Sequence, residues 1–567
     1  MGLNTSERVL NEFKIKHVGE IAKKIGIPAD SLKLFGNHIA KMPIDLLMEK
    51  YKNRSDGKLI VFTSVTPTFL GEGKTTNTIG LSMALNSIGK KSIACIRQPS
   101  LAPTFGLKGG GTGSGHSQVV PTEEINLNFT GDFNAVTNAQ NICAAMLDNS
   151  FFWSNPKGFH KDRITWNRVV EVNDRSLRNI AIGGGGKLHG VSRRSGVEIT
   201  PASECMAILS LAKDLKDLRA RLGRIVLGYT AQGKPITAED IKVAGAMAVL
   251  LKDAFNPNLV QTVEHTPCFI HGGAFADTAL GSSSVVADML ALKLSEYTVT
   301  ETGFGADLGA EKFFDIKCRE SGLKPDVVVI NCTVRAMKIH SGDFKAKGGV
   351  LSESIKREDL SAVDRGCSNL EKQVENLKMF GVPIVVCINK FERDTRKELN
   401  IIIKRAEALQ VDGIAVSEVF HLGSEGGKEL AKAVVKAANI KPKFHYLYPV
   451  DMNIKNKIER VAKSMYGASD VKYSEEAISS IALIEAAGLF KVPVCMEKSS
   501  LSLSNNPKKK GRPKGFTVAV ENVEIAAGAG YIRVECDGVN RMPSLPEKPR
   551  VAKFDIDVKT GQIKGLG

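Results

Sequence analysis

Gly71, Gly73, Lys74, Thr75 and Thr76 stand together in the stretch Thr63–Thr76, between the apolar run Leu59–Phe62 and the helical pattern Thr78–Leu85. A buried strand, a glycine-rich turn and a helix start are the parts that hold a polyphosphate. Backbone N–H groups face the anion, Lys74 adds a point charge, and the Thr75 hydroxyl can reach a phosphate-bound Mg²⁺. Thr66 and Glu72 belong to the same turn. The P-loop pattern GxxxxGK[ST] has glycine where this chain has Thr68, while Gly71 and Gly73 still permit close backbone approach. An ordinary strand–turn–helix connection is the alternative reading. The segment alone does not choose among a kinase, an ATPase, a GTPase and an ATP-driven ligase. After the next apolar run, Arg97–Gly110 supplies an arginine, a lysine and flexible amides, which suit a second anion.

These residues need a scaffold, and the apolar runs describe one. Ser92–Ile96, Arg224–Gly228, Asp326–Ile330 and Pro383–Ile388 alternate with helical patterns such as Ser203–Asp214. Near-continuous valine and isoleucine runs suit strands covered on both faces, hence an α/β fold with a mostly parallel sheet. Residues 1 to about 55 read as helices, with Val18–Ile25 at helical spacing. Around Lys441–Pro442 the pattern changes to two helices, Ile454–Tyr466 and Glu475–Ala487, followed by short strands and turns. The reading is a P-loop-like nucleotide-binding α/β domain over 1–365, a middle α/β domain over 366–450 and a C-terminal α/β domain over 451–567.

Composition narrows the class. At 567 residues the chain is too long for one core. No apolar run is long enough to span a bilayer, and the polar N-terminus lacks a signal-peptide apolar region, although Gly2 and Ser6 fit a loose acylation pattern. Ten scattered cysteines show no metal-ligand spacing and read as buried reduced thiols of a cytoplasmic protein. The charge balance, 77 − 61 = 16, suits polyanionic small molecules as well as nucleic acid or an anionic membrane. The sharpest basic cluster, Lys508–Lys514, reads as a solvated loop, with a localisation signal or a groove-binding arm as the alternatives. No basic-aromatic stripe accompanies it, so neither nucleic acid nor a membrane is the expected partner.

Taken together, Thr66–Thr76 and Arg97–Gly110 resemble the formate–tetrahydrofolate ligase family. The resemblance continues through Asn126–Asp132, Val172–Arg175, Pro257–Thr262 and His271–Gly273. Its longest stretch is Val299–Arg319, and it reaches Ile458–Gly467, Val494–Lys498 and Gly528–Gly530 near the C-terminus. It runs essentially from end to end, at the length of the separate ligase rather than of the domain fused to a dehydrogenase–cyclohydrolase.

The resemblance implies formylation of tetrahydrofolate in two steps. Formate takes the γ-phosphoryl group of ATP to give formyl phosphate and ADP, and N10 of tetrahydrofolate then displaces phosphate. It implies catalytic roles for Lys74, Arg97 and Asp132, and a nucleotide site of Thr66, Gly71, Glu72, Gly73, Lys74, Thr75, Thr76, Asn389 and Phe391. Thr75 would meet the Mg²⁺ of Mg-ATP, and Phe304 and Phe420 would sandwich the pterin. It also implies a monovalent cation (K⁺ or NH₄⁺), a homotetramer, and a folate that carries a polyglutamate tail. The chain departs from the family pattern at Phe69, Asn128, Asn134 and Leu280. It also has Lys390 for an alanine and Phe420 for a tryptophan. A homologue with altered substrate, or one that binds without ligating, is the competing reading.

Overall fold

The computed structural model describes residues 5–566 except 107–109, 154 and 345–352. Gly2 of the acylation pattern and Lys108 lie outside the described residues.

Twelve strands among the described residues form one sheet. In chain order the strands that matter here are β1 (Lys33–Phe35), β2 (Ile39–Lys41), β3 (Lys58–Ser64), β4 (Ser92–Ile96), β5 (Asn258–Thr262) and β6 (Pro267–Ile270). They continue with β7 (Tyr297–Glu301), β8 (Val327–Cys332), β9 (Ile384–Asn389) and β10 (Gly413–Ser417). Their spatial order is β1-β2-β5-β6-β4-β7-β3-β8-β9-β10. Every pairing from β6 to β10 is parallel, and the β1, β2 and β5 edge is antiparallel. The fold is therefore mixed α/β with a large, mostly parallel sheet. Helices cover both faces, so β8 and β9 are buried at every residue, as their unbroken apolar sequence requires.

Two details differ from the sequence reading. Residues 1–55 are not all helical: Lys33–Phe35 and Ile39–Lys41 pair as an antiparallel hairpin. Three-residue strands carry too little alternation to declare themselves. The apolar run at 224–228 does form a strand, Val226–Thr230, but in a separate three-stranded sheet. Strands β9 and β10, within 366–450, extend the same sheet as β3. The span from 451 has its own four-stranded sheet over Asp470–Tyr473, Val494–Glu497, Thr517–Ala526 and Tyr531–Cys536.

At the carboxyl edge of the central sheet the chain leaves β3, turns through 65–73 and enters helix α1, Lys74–Ser87. Gly71 and Gly73 take φ of 70° and 68°, a left-handed conformation that costs a side-chain-bearing residue energy. A Cβ on Gly73 would also lie 2.5 Å from Asn389 Nδ2. Both glycines are thus demanded by the turn. All ten cysteines are buried and unpaired. Among the described residues no helix is long and apolar enough to cross a membrane.

Candidate functional site

The 65–73 loop is held by a scaffold of buried side chains. Glu72 accepts the Thr68 N–H at 2.8 Å and the Thr333 hydroxyl at 2.7 Å, one on each carboxylate oxygen. Its carbonyl accepts from Asn331 at 2.7 Å and Asn389 at 3.0 Å. Thr66 is buried, with its N–H donated to Asn369 and its hydroxyl accepting from Asn369 and Gln373. Glu72 and Thr66 therefore shape the turn from behind, and Asn389 closes it from β9.

Lys74 begins α1, and its Nζ donates to the carbonyl of Phe304 at 3.1 Å. Phe304 has a φ of 59°, rare for a residue with a side chain, and lies between Gly303 and Gly305. A Cβ on Gly305 would come within 3.3 Å of Thr66 Cα, and one on Gly309 within 2.0 Å of the Gly303 carbonyl. Two π-helical turns follow, Ala306–Ala310 and Phe313–Cys318. Strained backbone and π-helical turns both recur at functional sites.

Thr75 donates its hydroxyl to Glu301 at the end of β7, at 2.8 Å. The other oxygen of Glu301 lies 3.9 Å from Nε of Arg97, which extends from the end of β4 and donates through Nη1 to the Ala274 carbonyl. Glu301 thus bridges the helix-α1 hydroxyl and the arginine. It lies inside the stretch Val299–Arg319, yet sequence reasoning gave it no role, because only the parallel pairing of β7 with β3 and β4 brings it to Thr75 and Arg97. Nearby, Thr63 Oγ1 and Ser64 Oγ on β3 are buried. Thr76 hydrogen-bonds Ser114 at 3.0 Å.

A cavity of about 520 Å³ opens beside the loop, lined by Gly71, Gly73, Thr76, Asn389, Phe391 and Phe420 among others. Its size is that of a small-molecule site. Arg335, a residue the sequence reading missed, lines the same cavity. It donates to the Gly71 carbonyl at 2.8 Å and stacks its guanidinium 4.5 Å from the Phe391 ring. Phe420 meets His421 edge-on at 4.8 Å, and Lys390 pairs with Glu418 at 2.6 Å. Phe304 is not among the lining residues.

Asp132 begins the helix Asp132–Phe152. Its carboxylate forms a buried ion pair with Lys41 at 2.7 Å and accepts from Asn258 at 2.8 Å. His271 is fully buried: Nε2–H donates to the Ala254 carbonyl and Nδ1 accepts from Ser284, both at 2.7 Å. Burial pushes its pKa down to about 4. Among the departures, Phe69 is half exposed, Asn128 and Asn134 are exposed, and Leu280 belongs to the apolar core.

The Lys508–Lys514 cluster is only partly the solvated loop that its composition suggests. Lys508, Lys509 and Lys514 are exposed, but Lys510 is half-buried and Gly511 buried. Lys510 lies 5.6 Å from the ring of Phe69.

For Mg²⁺, the donors at hand are the Thr75 hydroxyl and the Glu301 carboxylate, hard oxygens of the kind the ion prefers. Among the described residues no group of three or more His, Cys, Asp and Glu could hold a metal. This donor set fits an ion held chiefly by substrate phosphates.

The large, mostly parallel sheet, with a glycine loop between a parallel strand and a helix and with Lys74 and Arg97 at its carboxyl edge, makes this an α/β protein with cationic side chains gathered at the ends of its strands. A family model described as formate–tetrahydrofolate ligase matches residues 5–567, and the chain belongs to that family. Its activity is accordingly that of a formate–tetrahydrofolate ligase, an enzyme of one-carbon folate metabolism whose substrates are ATP, formate and tetrahydrofolate.

Proposed function

We propose that the chain ligates formate to tetrahydrofolate through formyl phosphate, with both steps at the carboxyl edge of the parallel sheet. The observation that carries this reading is the chain of contacts from Thr75 to Glu301 to Arg97 beside Lys74. It links Arg97, through one carboxylate, to the residue that follows Lys74. Formate is a poor acylating agent because its leaving group would be oxide. A formate oxygen attacks the γ-phosphorus, the bond to ADP breaks, and the mixed anhydride that forms carries phosphate as leaving group. N10 then attacks the formyl carbon, phosphate departs, and the N10 proton is lost.

The protein's part is positioning and charge neutralisation. Lys74 and the amides that follow Gly73 bind the phosphates. Arg97 holds formate and then the acyl phosphate. Mg²⁺, when bound, neutralises phosphate charge, and Thr75 and Glu301 would hold it. Thr66 and Glu72 keep the loop in register, Thr76 and Asn389 close its sides, and Phe391 under Arg335 offers a face for the base. Phe420 offers a face for the pterin, with Phe304 as its expected opposite wall. Asp132 acts through its pair with Lys41, fixing the chain that faces the site. We read 1–365, 366–450 and 451–567 as three functional units, in which the middle one supplies Asn389, Phe391 and Phe420. A cytoplasmic homotetramer activated by K⁺ or NH₄⁺ completes the reading.

The competing reading, a homologue with altered substrate or without ligase activity, draws on Leu280 and Phe420. Leu280 is core where the family pattern has a histidine, and Phe420 offers less area than tryptophan. Incubation with ATP, formate and tetrahydrofolate decides between them: formation of 10-formyltetrahydrofolate supports ligation. Hydroxylamine added in place of folate should trap formyl hydroxamate, and its absence in an active enzyme would rule out formyl phosphate.

A further inference from the structure

Each polar group of Thr66 is held by a side chain that lies far away in sequence. Its N–H donates to Asn369 Oδ1 at 3.0 Å, its hydroxyl accepts from Asn369 Nδ2 at 2.9 Å, and its carbonyl accepts from His340 Nε2 at 2.7 Å. The same two side chains also hold Gly511. Asn369 Nδ2 donates to the Gly511 carbonyl at 2.9 Å, and His340 Nδ1 accepts the Gly511 N–H at 3.2 Å. A backbone N–H can only donate, so His340 is fixed as the Nε2–H tautomer. Both side chains are buried.

Gly511 is fitted to this position. Its φ is 65°, and a Cβ there would lie 2.8 Å from the His340 carbonyl oxygen and 3.2 Å from Ser368 Oγ. The next residue, Arg512, makes a bidentate pair with Glu375, both bonds at 2.7 Å. That pair is partly exposed and does not reach Thr66.

We propose that Gly511 is part of the substrate-binding apparatus, and that His340 and Asn369 are positioning residues that tie the 65–73 loop to the C-terminal unit. The loop's amides bind phosphate only if Thr66 is held at its start, and Thr66 is held by Gln373 and by the two side chains, His340 and Asn369, that also hold Gly511. Nucleotide affinity therefore depends on a segment more than 400 positions away from the loop in sequence. The inference rests on the reading of the 65–73 loop as the nucleotide site.

Two variants of the full chain test it. Gly511→Ala forces the segment away. His340→Gln can keep a donor for the Thr66 carbonyl at the Nε2 position but leaves no acceptor at the Nδ1 position, where the Gly511 N–H is held. Arg512→Ala breaks the neighbouring pair and serves as control. Calorimetry with Mg-ATP and steady-state kinetics are the readouts, on preparations whose far-ultraviolet circular dichroism matches the parent.

Both clamp variants should raise Kd and KM for ATP at least fivefold, with KM for formate changed less than twofold and Arg512→Ala at parent values. The double variant should be no worse than the weaker-binding single variant, because both cut one linkage. ATP affinity within twofold of the parent in His340→Gln, or equal loss in Arg512→Ala, overturns the proposal even where Gly511→Ala does not fold. A parent that binds no nucleotide overturns the reading of the site and this inference with it. A parent that binds, beside clamp variants that bind equally well, overturns this inference alone.

Discussion

The Lys74 ammonium donates to the carbonyl oxygen of Phe304 at 3.1 Å. The cation that opens helix α1 is thereby tied to a residue held in left-handed backbone conformation. The π-helical segment that follows is packed against Thr66 through Gly305. Charge and strain meet at one contact, and the expected effects of substitution radiate from it.

Lys74→Ala removes the point charge from the phosphate site. The expected loss in kcat is about 10²–10³-fold, the scale for deleting one preorganised electrostatic contact. Steady-state assay of 10-formyltetrahydrofolate formation measures it, and a variant at the parent rate would show that Lys74 does not serve the phosphates.

Arg97→Ala is expected to depress formyl transfer more than nucleotide affinity. Arg97 approaches Glu301 and the Ala274 carbonyl, with no contact to the 65–73 loop among its hydrogen bonds. Calorimetry with ADP alongside the product assay separates the two effects. Equal losses in both would end this division of labour.

Arg335→Ala removes a hydrogen bond to the Gly71 carbonyl and the cation stacked on Phe391. Together these are worth about 1–2 kcal/mol. KM for ATP should rise roughly five- to thirtyfold with KM for tetrahydrofolate nearly constant. A change confined to the folate KM would assign the Phe391 wall to the other substrate.

Phe420→Trp should tighten tetrahydrofolate binding by about tenfold or less, since the added aromatic area is worth roughly 0.5–1.5 kcal/mol. ATP affinity should be unchanged. Fluorescence titration of the two ligands checks this, and weaker folate binding would mean that the cavity has been rebuilt for another molecule.

His271→Gln addresses stability against pH. The imidazole titrates near 6.5 when unfolded and at about 4 in the fold, because burial disfavours the cation. Between those values the unfolded chain binds more protons, so this group's contribution falls as pH drops from 6.5 towards 4. At pH 5 the loss is about 2 kcal/mol. Urea unfolding at pH 7.5 and pH 5 should show the parent losing about that much more than the variant, and parallel losses would argue against a buried neutral histidine.

How much of this was legible in the sequence depends on distance along the chain. The strands β8 and β9 were plain, because a strand covered on both faces must be apolar throughout. The turn at Gly71 and Gly73 was plain because its backbone demands glycine and its lysine follows at once. Glu301 has no readable role in the sequence, since nothing local distinguishes a carboxylate at a strand end until the strand's neighbours are known. Arg335, His340 and Asn369 were invisible for the same reason. Thr66 and Asn369 are separated by 303 positions, and their contact exists only once β3 and the helix Leu360–Lys378 share a fold. The short hairpin at 33–41 escaped because three residues hold no readable period.

The ten buried cysteines make the protein its own reporter of breathing. Burial pushes the thiols of Cys367 and Cys536 up to about 12 and that of Cys495 to about 11, so the native thiols are protonated as well as inaccessible. An alkylating reagent can then react only when a segment opens, and each cysteine becomes a clock for its own neighbourhood. Cys387 lies on β9, its Sγ 3.7 Å from the side-chain oxygen Oδ1 of Asn77 on helix α1. Its modification would time the parting of helix from sheet beneath the glycine loop. Cys536, at the end of the strand Tyr531–Cys536, would time the four-stranded sheet, so the order of labelling would read out which part of the molecule loosens first.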